Sequence, residues 1–117
     1  MKYAVLSDIH SNLEALETAL QYLAGKAIDQ YLILGDIVGY AANPNECLKL
    51  VSKLPARVVA GNHDKSALDL TQAAGFNEAA YEAIAWTKDC LEPQWGDYWQ
   101  RARKNRRLKG WSAGALD

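Results

Sequence analysis

Three short apolar runs, at residues 2–7, 31–34 and 57–60, alternate with two stretches of helical period, and this alternation constrains the fold more than any other feature of the chain. Nearly continuous apolar runs of this length suit strands buried on both faces of a parallel sheet. Between the first two runs, Leu13, Leu16, Leu20 and Leu23 recur at helical spacing, behind an expected capping box of Ser11 and Glu14 and ahead of Gly25, which closes the helix. Between the second and third, Asn43, Pro44 and Glu46 start a helix whose inward face is Cys47, Leu48, Val51 and Leu54. The resulting β-α-β-α-β order demands parallel strands joined by right-handed crossovers. A further helix is expected over about 77–91, with Ala80, Ile84 and Leu91 on its apolar side and Tyr81 and Trp86 partly buried.

Composition agrees with a single globular domain: 117 residues, 50% hydrophobic and 23% charged, are enough for one core without staples. No apolar run approaches the ~20 residues of a bilayer span, and Met1-Lys2-Tyr3 leads straight into a strand rather than a signal peptide. The expectation is a cytoplasmic protein with no membrane partner. Cys47 and Cys90 lack any metal-ligand spacing and read as core thiols. The net charge of −1 hides an asymmetry, because residues 1–100 carry 7 basic and 13 acidic side chains while residues 101–117 carry 6 and 1.

Each strand run ends in small oxygen or imidazole donors: Asp8-Ile9-His10, Gly35-Asp36 and Gly61-Asn62-His63-Asp64. In an open parallel sheet the carboxyl ends of the strands face one crevice, so these side chains should converge. Singly, each has a plainer role, an Asp as the cap of the next helix or an Asn as a turn residue. Together, two carboxylates, an imidazole and an amide suit Mn²⁺, Fe or Zn²⁺, and one carboxylate can bridge two ions. Two ions about 3.5–4 Å apart can polarise a phosphoryl group and generate a hydroxide nucleophile.

Through Ser7-Asp8-Ile9-His10-Ser11-Asn12, Gly35-Asp36-Ile37-Val38-Gly39-Tyr40 and Gly61-Asn62-His63-Asp64, residues 1–91 resemble the calcineurin-like metallophosphoesterases, particularly the small bacterial members. The resemblance implies an α/β fold with a mostly parallel sheet and flanking helices, half of the α-β-β-α sandwich of that family. It implies hydrolysis of phosphomonoesters or phosphodiesters by a hydroxide that two divalent ions activate, the metal being Mn, Fe or Zn. Carried over position by position, Asp8 and His10 bind the first ion, Asp36 bridges both, and Asn62 binds the second. His63 faces the phosphate, Asp64 orients His63, and Asn12 and Tyr40 line the substrate pocket. Gly35 and Gly61 permit close backbone approach beside the ions. The family supplies three more metal-binding histidines from Gly-His and Gly-His-x-His motifs, whereas this chain has only His10 and His63 and no Gly-His pair. Weak metal binding and little turnover are therefore expected of the isolated chain, and the alternative reading is a non-catalytic remnant or interaction module on the same scaffold.

Residues 1–92 thus read as an N-terminal half domain and residues 93–117 as a basic, Trp-rich tail that does not resemble the family. Three readings of the tail stand side by side. It is the product of a truncated or frameshifted frame; or an amphipathic helix that lays Trp95 and Trp99 on the core with Arg101, Arg103, Lys104, Arg106 and Arg107 in solvent; or a nucleic-acid-binding adaptor. Because longer relatives pack a second sheet on the first, one sheet face here needs cover, from self-association, a separate C-terminal half or the tail itself.

Overall fold

The computed structural model describes residues 1–104, with side chains to Arg101. Strands β1 (Tyr3–Leu6), β2 (Gln30–Ile33) and β3 (Ala56–Val58) form a parallel sheet in the order β1-β2-β3, as the alternation of runs and helices requires. Leu6 lies opposite Ile33, and Ile33 opposite Val58. Since side chains alternate along a strand, this register puts Ala4, Leu6, Tyr31, Ile33, Ala56 and Val58 on one face. All six belong to the hydrophobic core. Val5, on the opposite face, stays 56% exposed.

Helix α1 (Leu13–Ala24) buries Leu16 and packs Leu13, Leu20 and Leu23 against the core. Its cap differs from expectation. Asn12, not Ser11, takes that position, its Oδ1 accepting the Ala15 N–H at 3.1 Å. Ser11 is held one residue too early by the next loop, donating its N–H to the Ile37 carbonyl and accepting from Asn43 N–H. Helix α2 (Pro44–Ser52) starts at Asn43 as expected, although Asn43 donates to the Glu46 carboxylate at 2.7 Å rather than capping a backbone N–H. Cys47, Leu48 and Val51 are completely buried, and burial pushes the Cys47 thiol up to about 12.

Past β3, the short α3 (Asn62–Leu68) and a 3₁₀ turn (Leu70–Ala73) lead to α4 (Glu78–Cys90), capped by Asn77. Ala80, Ile84 and Thr87 set its inward stripe. Tyr81 and Trp86, expected to be partly buried, are 42% and 47% exposed, because Tyr81 stands at the rim of that stripe and Trp86 on its far side. Helix α5 (Gln94–Lys104) runs beside β3 and buries Trp95 and Trp99 in the same core as the sheet. Arg101 on this helix is exposed; Arg106, Arg107 and Trp111 lie outside the described residues. The seam is polar as well as apolar: Asn45 accepts from Trp95 Nε1 and Glu92 N–H and donates to the Cys90 carbonyl. No described helix is long and apolar enough to cross a membrane.

Candidate metal centre

The loops after β1 and β2 are bound to each other by backbone. Asp8 N–H donates to Gly35 O, His10 N–H to Asp36 O at 2.9 Å, Ser11 N–H to Ile37 O at 2.8 Å, and Ala41 N–H to His10 O. This web holds Asp8, His10, Ser11, Asp36 and Tyr40 in the left-handed region, with φ between 49° and 66°. Non-glycine residues enter that region rarely and stay only where the surroundings over-determine them. The third tip is closer still. A Cβ on Gly61 would strike the Asp36 carboxylate, and one on Gly35 would come within 2.7 Å of Gly61 N, so the expected close approach is real.

Asp8, His10 and Asp36 each bring one ligand atom within 4.8 Å of the others. The imidazole shows how this set fits a cation. His10 Nδ1 lies 3.0 Å from the Val38 carbonyl, which can only accept, so Nδ1 carries the proton of the neutral ring and Nε2 keeps a lone pair. That lone pair faces Asp8 Oδ1 at 3.3 Å. Two acceptors so placed call for a positive charge between them, a proton or a metal ion. Asp8 is exposed, and its carboxyl is held below the usual range first by the Ser7 hydroxyl at 2.8 Å and further by His10.

The other expected site residues divide. Asn62 opens α3 at the surface, and its neighbour His63 donates its backbone N–H to Asp36 Oδ1 at 3.0 Å. The His63 ring lies 4.8 Å from that of His10, 4.9 Å from Tyr40 and 4.7 Å from Phe76. Burial, opposed by the Asp36 charge, lowers its pKa, and Nδ1 is buried without a partner among the described residues. Tyr40 meets His10 edge-on at 5.1 Å and is 56% exposed. Asn12 commits its oxygen to the α1 cap and lines, with Ser7, Asp8 and Ile9, a pocket of about 180 Å³.

Asp64 corrects an expectation. It makes no hydrogen bond to His63; its fully buried carboxylate accepts from the backbone N–H groups of Asp36 (2.7 Å), Gly61 (2.9 Å) and Val38 (3.2 Å). It clamps the second tip to the third and is a positioning residue. Burial pushes its carboxyl up to about 7 against the three donors that favour the charged form. Two residues escaped the sequence reading. Phe76, the chain's single phenylalanine, backs His63, and Trp86 lines an open cleft with Tyr40, Ala41 and Ala42.

The calcineurin-like phosphoesterase family profile matches residues 1–112, running past residue 92 into the segment read as a tail. An uncharacterized protein of Methanocaldococcus jannaschii is 47% identical over 89 residues, which make up 76% of this chain and 37% of that protein. The crystal structure of a metallophosphoesterase from Sphaerobacter thermophilus aligns with 86% of this chain and 40% of its own at 36% identity and a TM-score of 0.69. The chain therefore spans well under half the length of either relative. With its parallel α/β sheet matched to a solved structure and its sequence matched over nearly all of its length, the chain belongs to the calcineurin-like phosphoesterase family.

Proposed function

We propose that the chain carries the metal-holding part of an enzyme that hydrolyses phosphomonoesters or phosphodiesters, with Asp8, His10 and Asp36 as ligands of one divalent ion and Asp36 and Asn62 reaching a second. The observation that carries this reading is the gathering of three donor atoms within 4.8 Å on backbone held left-handed. When bound, a divalent ion supplies Lewis acidity for a phosphoryl oxygen and a means of deprotonating water at neutral pH. The chain's own residues do the rest. His63, wedged between Tyr40 and Phe76, presents Nε2 to the phosphate to steady developing charge or protonate the leaving oxygen. Its N–H bond pins Asp36 Oδ1 and leaves the other carboxylate oxygen for metal.

Water or a second polypeptide, either a copy of this chain or a C-terminal half of the fold, completes the coordination. The scarcity of histidine favours slow turnover by the isolated chain, and a non-catalytic module is the second reading. Burial of Trp95 and Trp99 removes them from base stacking and weighs against an adaptor role through the tail. Two free cysteines, one fully buried, agree with a cytoplasmic location. Calorimetry with Mn²⁺ and an assay on a nitrophenyl phosphodiester test the reading. Weak Mn²⁺ binding with slow, metal-dependent turnover, both lost in His10→Ala, is expected. Micromolar binding of two ions with brisk turnover would refute the impairment, and binding indifferent to His10→Ala would refute the site.

A further inference from the structure

A cleft of about 460 Å³, within the roughly 300–1,000 Å³ of small-molecule pockets, opens beside the metal centre. Its lining is Tyr40, Ala41, Ala42 and Trp86, two aromatic rings and two methyl groups without a charge. Such a surface offers nothing to a phosphate. It offers two π-faces to a flat, weakly polar group. One wall is shared with the centre, since the Tyr40 ring lies 5.1 Å from His10 and 4.9 Å from His63. That wall is fixed: Tyr40 sits at φ 66° after Gly39, and Ala41 N–H is bound by the carbonyls of His10 and Gly39. The opposite wall, Trp86, projects from the outward side of α4, where its indole covers no core and stays 47% exposed. A rigid aromatic wall needs no ordering when a ligand arrives.

Resting on the phosphoesterase reading, we propose that Tyr40 and Trp86 form a stacking subsite for the aromatic part of the substrate, so that the substrate class is phosphoesters of flat aromatic groups, nucleotides foremost. The phosphate lies at Asp8, His10, Asp36 and His63, and the attached ring lies in the cleft.

Calorimetry on the full chain with Mn²⁺ tests this. AMP should bind at least about tenfold more tightly than ribose 5-phosphate, the gain expected of one stacked base. Trp86→Ala and Tyr40→Ala should each bring AMP down to the ribose 5-phosphate level, Trp86→Phe should keep most of the gain, and Trp86→Ala should leave Mn²⁺ affinity unchanged. Phenyl phosphate outbinding methyl phosphate to the same degree would extend the subsite to aryl esters in general; a gain for AMP alone would assign it to nucleobases. Equal affinities for AMP and ribose 5-phosphate, with Mn²⁺-dependent binding of inorganic phosphate intact, would overturn the subsite. Absence of Mn²⁺-dependent phosphate binding would instead sink the metal reading. In that case adenosine against ribose, followed by NMR shifts of the Trp86 indole, decides the subsite alone: shifts by adenosine only support it, and no shifts overturn it.

Discussion

The tips of β1 and β2 carry five non-glycine residues with left-handed backbone, Asp8, His10, Ser11, Asp36 and Tyr40, whereas the tip of β3 carries none. The first two present their donors by bending the chain into a costly conformation and binding the bends to each other. The third runs directly into α3 and contributes through closeness: Gly61 lies against Asp36, and Asp64 reaches back beneath both. The contrast teaches that the donors and their support are drawn from different strands. Two tips hold ligands, and the third holds the two tips.

Removing the brace should therefore have the largest effect. Asp64→Ala leaves three buried N–H groups without an acceptor and should lower stability by about 3 kcal/mol or more, read from urea unfolding. Asp64→Asn, which keeps one acceptor oxygen, should lose less; equal stability of Asp64→Ala and the parent would break the contrast. Next comes Gly61→Ala, whose added Cβ must displace the Asp36 carboxylate, at about 1–3 kcal/mol and with weakened Mn²⁺ binding. Gly25→Ala, with open space around the new methyl, should be neutral or slightly stabilising and serves as its control.

At a ligand tip, charge and backbone should separate. Asparagine tolerates left-handed φ as aspartate does, so Asp36→Asn should fold normally and lose at least about tenfold in Mn²⁺ affinity. Asp36→Ala should lose that affinity and about 1 kcal/mol of stability besides. The smallest effect lies away from the tips. Burial, helped by the Asp64 charge, pushes the Tyr98 hydroxyl up to about 12, and the Cys47 thiol stands equally high. Both groups keep their protons in the folded chain where the unfolded chain releases them. Stability should thus hold below the unfolded values, about 8.5 for the thiol and 10 for the phenol, and fall as pH rises from there toward 12. Urea midpoints at pH 8 and pH 10.5 check the sign. Disulfide exchange with a chromogenic reagent at pH 8 should label Cys90 well before Cys47.

Much of this was legible because strands and ligands obey the same spacing. Apolar runs separated by Leu13, Leu16, Leu20 and Leu23, or by Cys47, Leu48 and Val51, specify parallel strands, and parallel strands bring Asp8, His10 and Asp36 to one end. What was not legible depended on contacts distant in sequence or on a side chain's heading. Ser11 and Asn12 cap helices equally well, and a bond to Ile37 decided between them. Asp64 follows His63 in the chain, but successive helical side chains diverge by about 100°, which turns one toward the crevice and the other beneath it. Trp86 sits in an alanine-rich helix whose weak stripe hides which side is outward. The seam made by Asn45 joins groups up to 50 positions apart, beyond any local pattern.

The bonds that fasten the loops after β1 and β2 run from amide to carbonyl and ask nothing of the side chains above them. A lineage that keeps the main-chain path could exchange the groups at Tyr40, Ala41, Ala42 and Trp86 freely, trying new leaving groups while the ion-binding platform beneath goes undisturbed. Diversification at the rim and constancy at the floor would then be one inheritance of the same architecture.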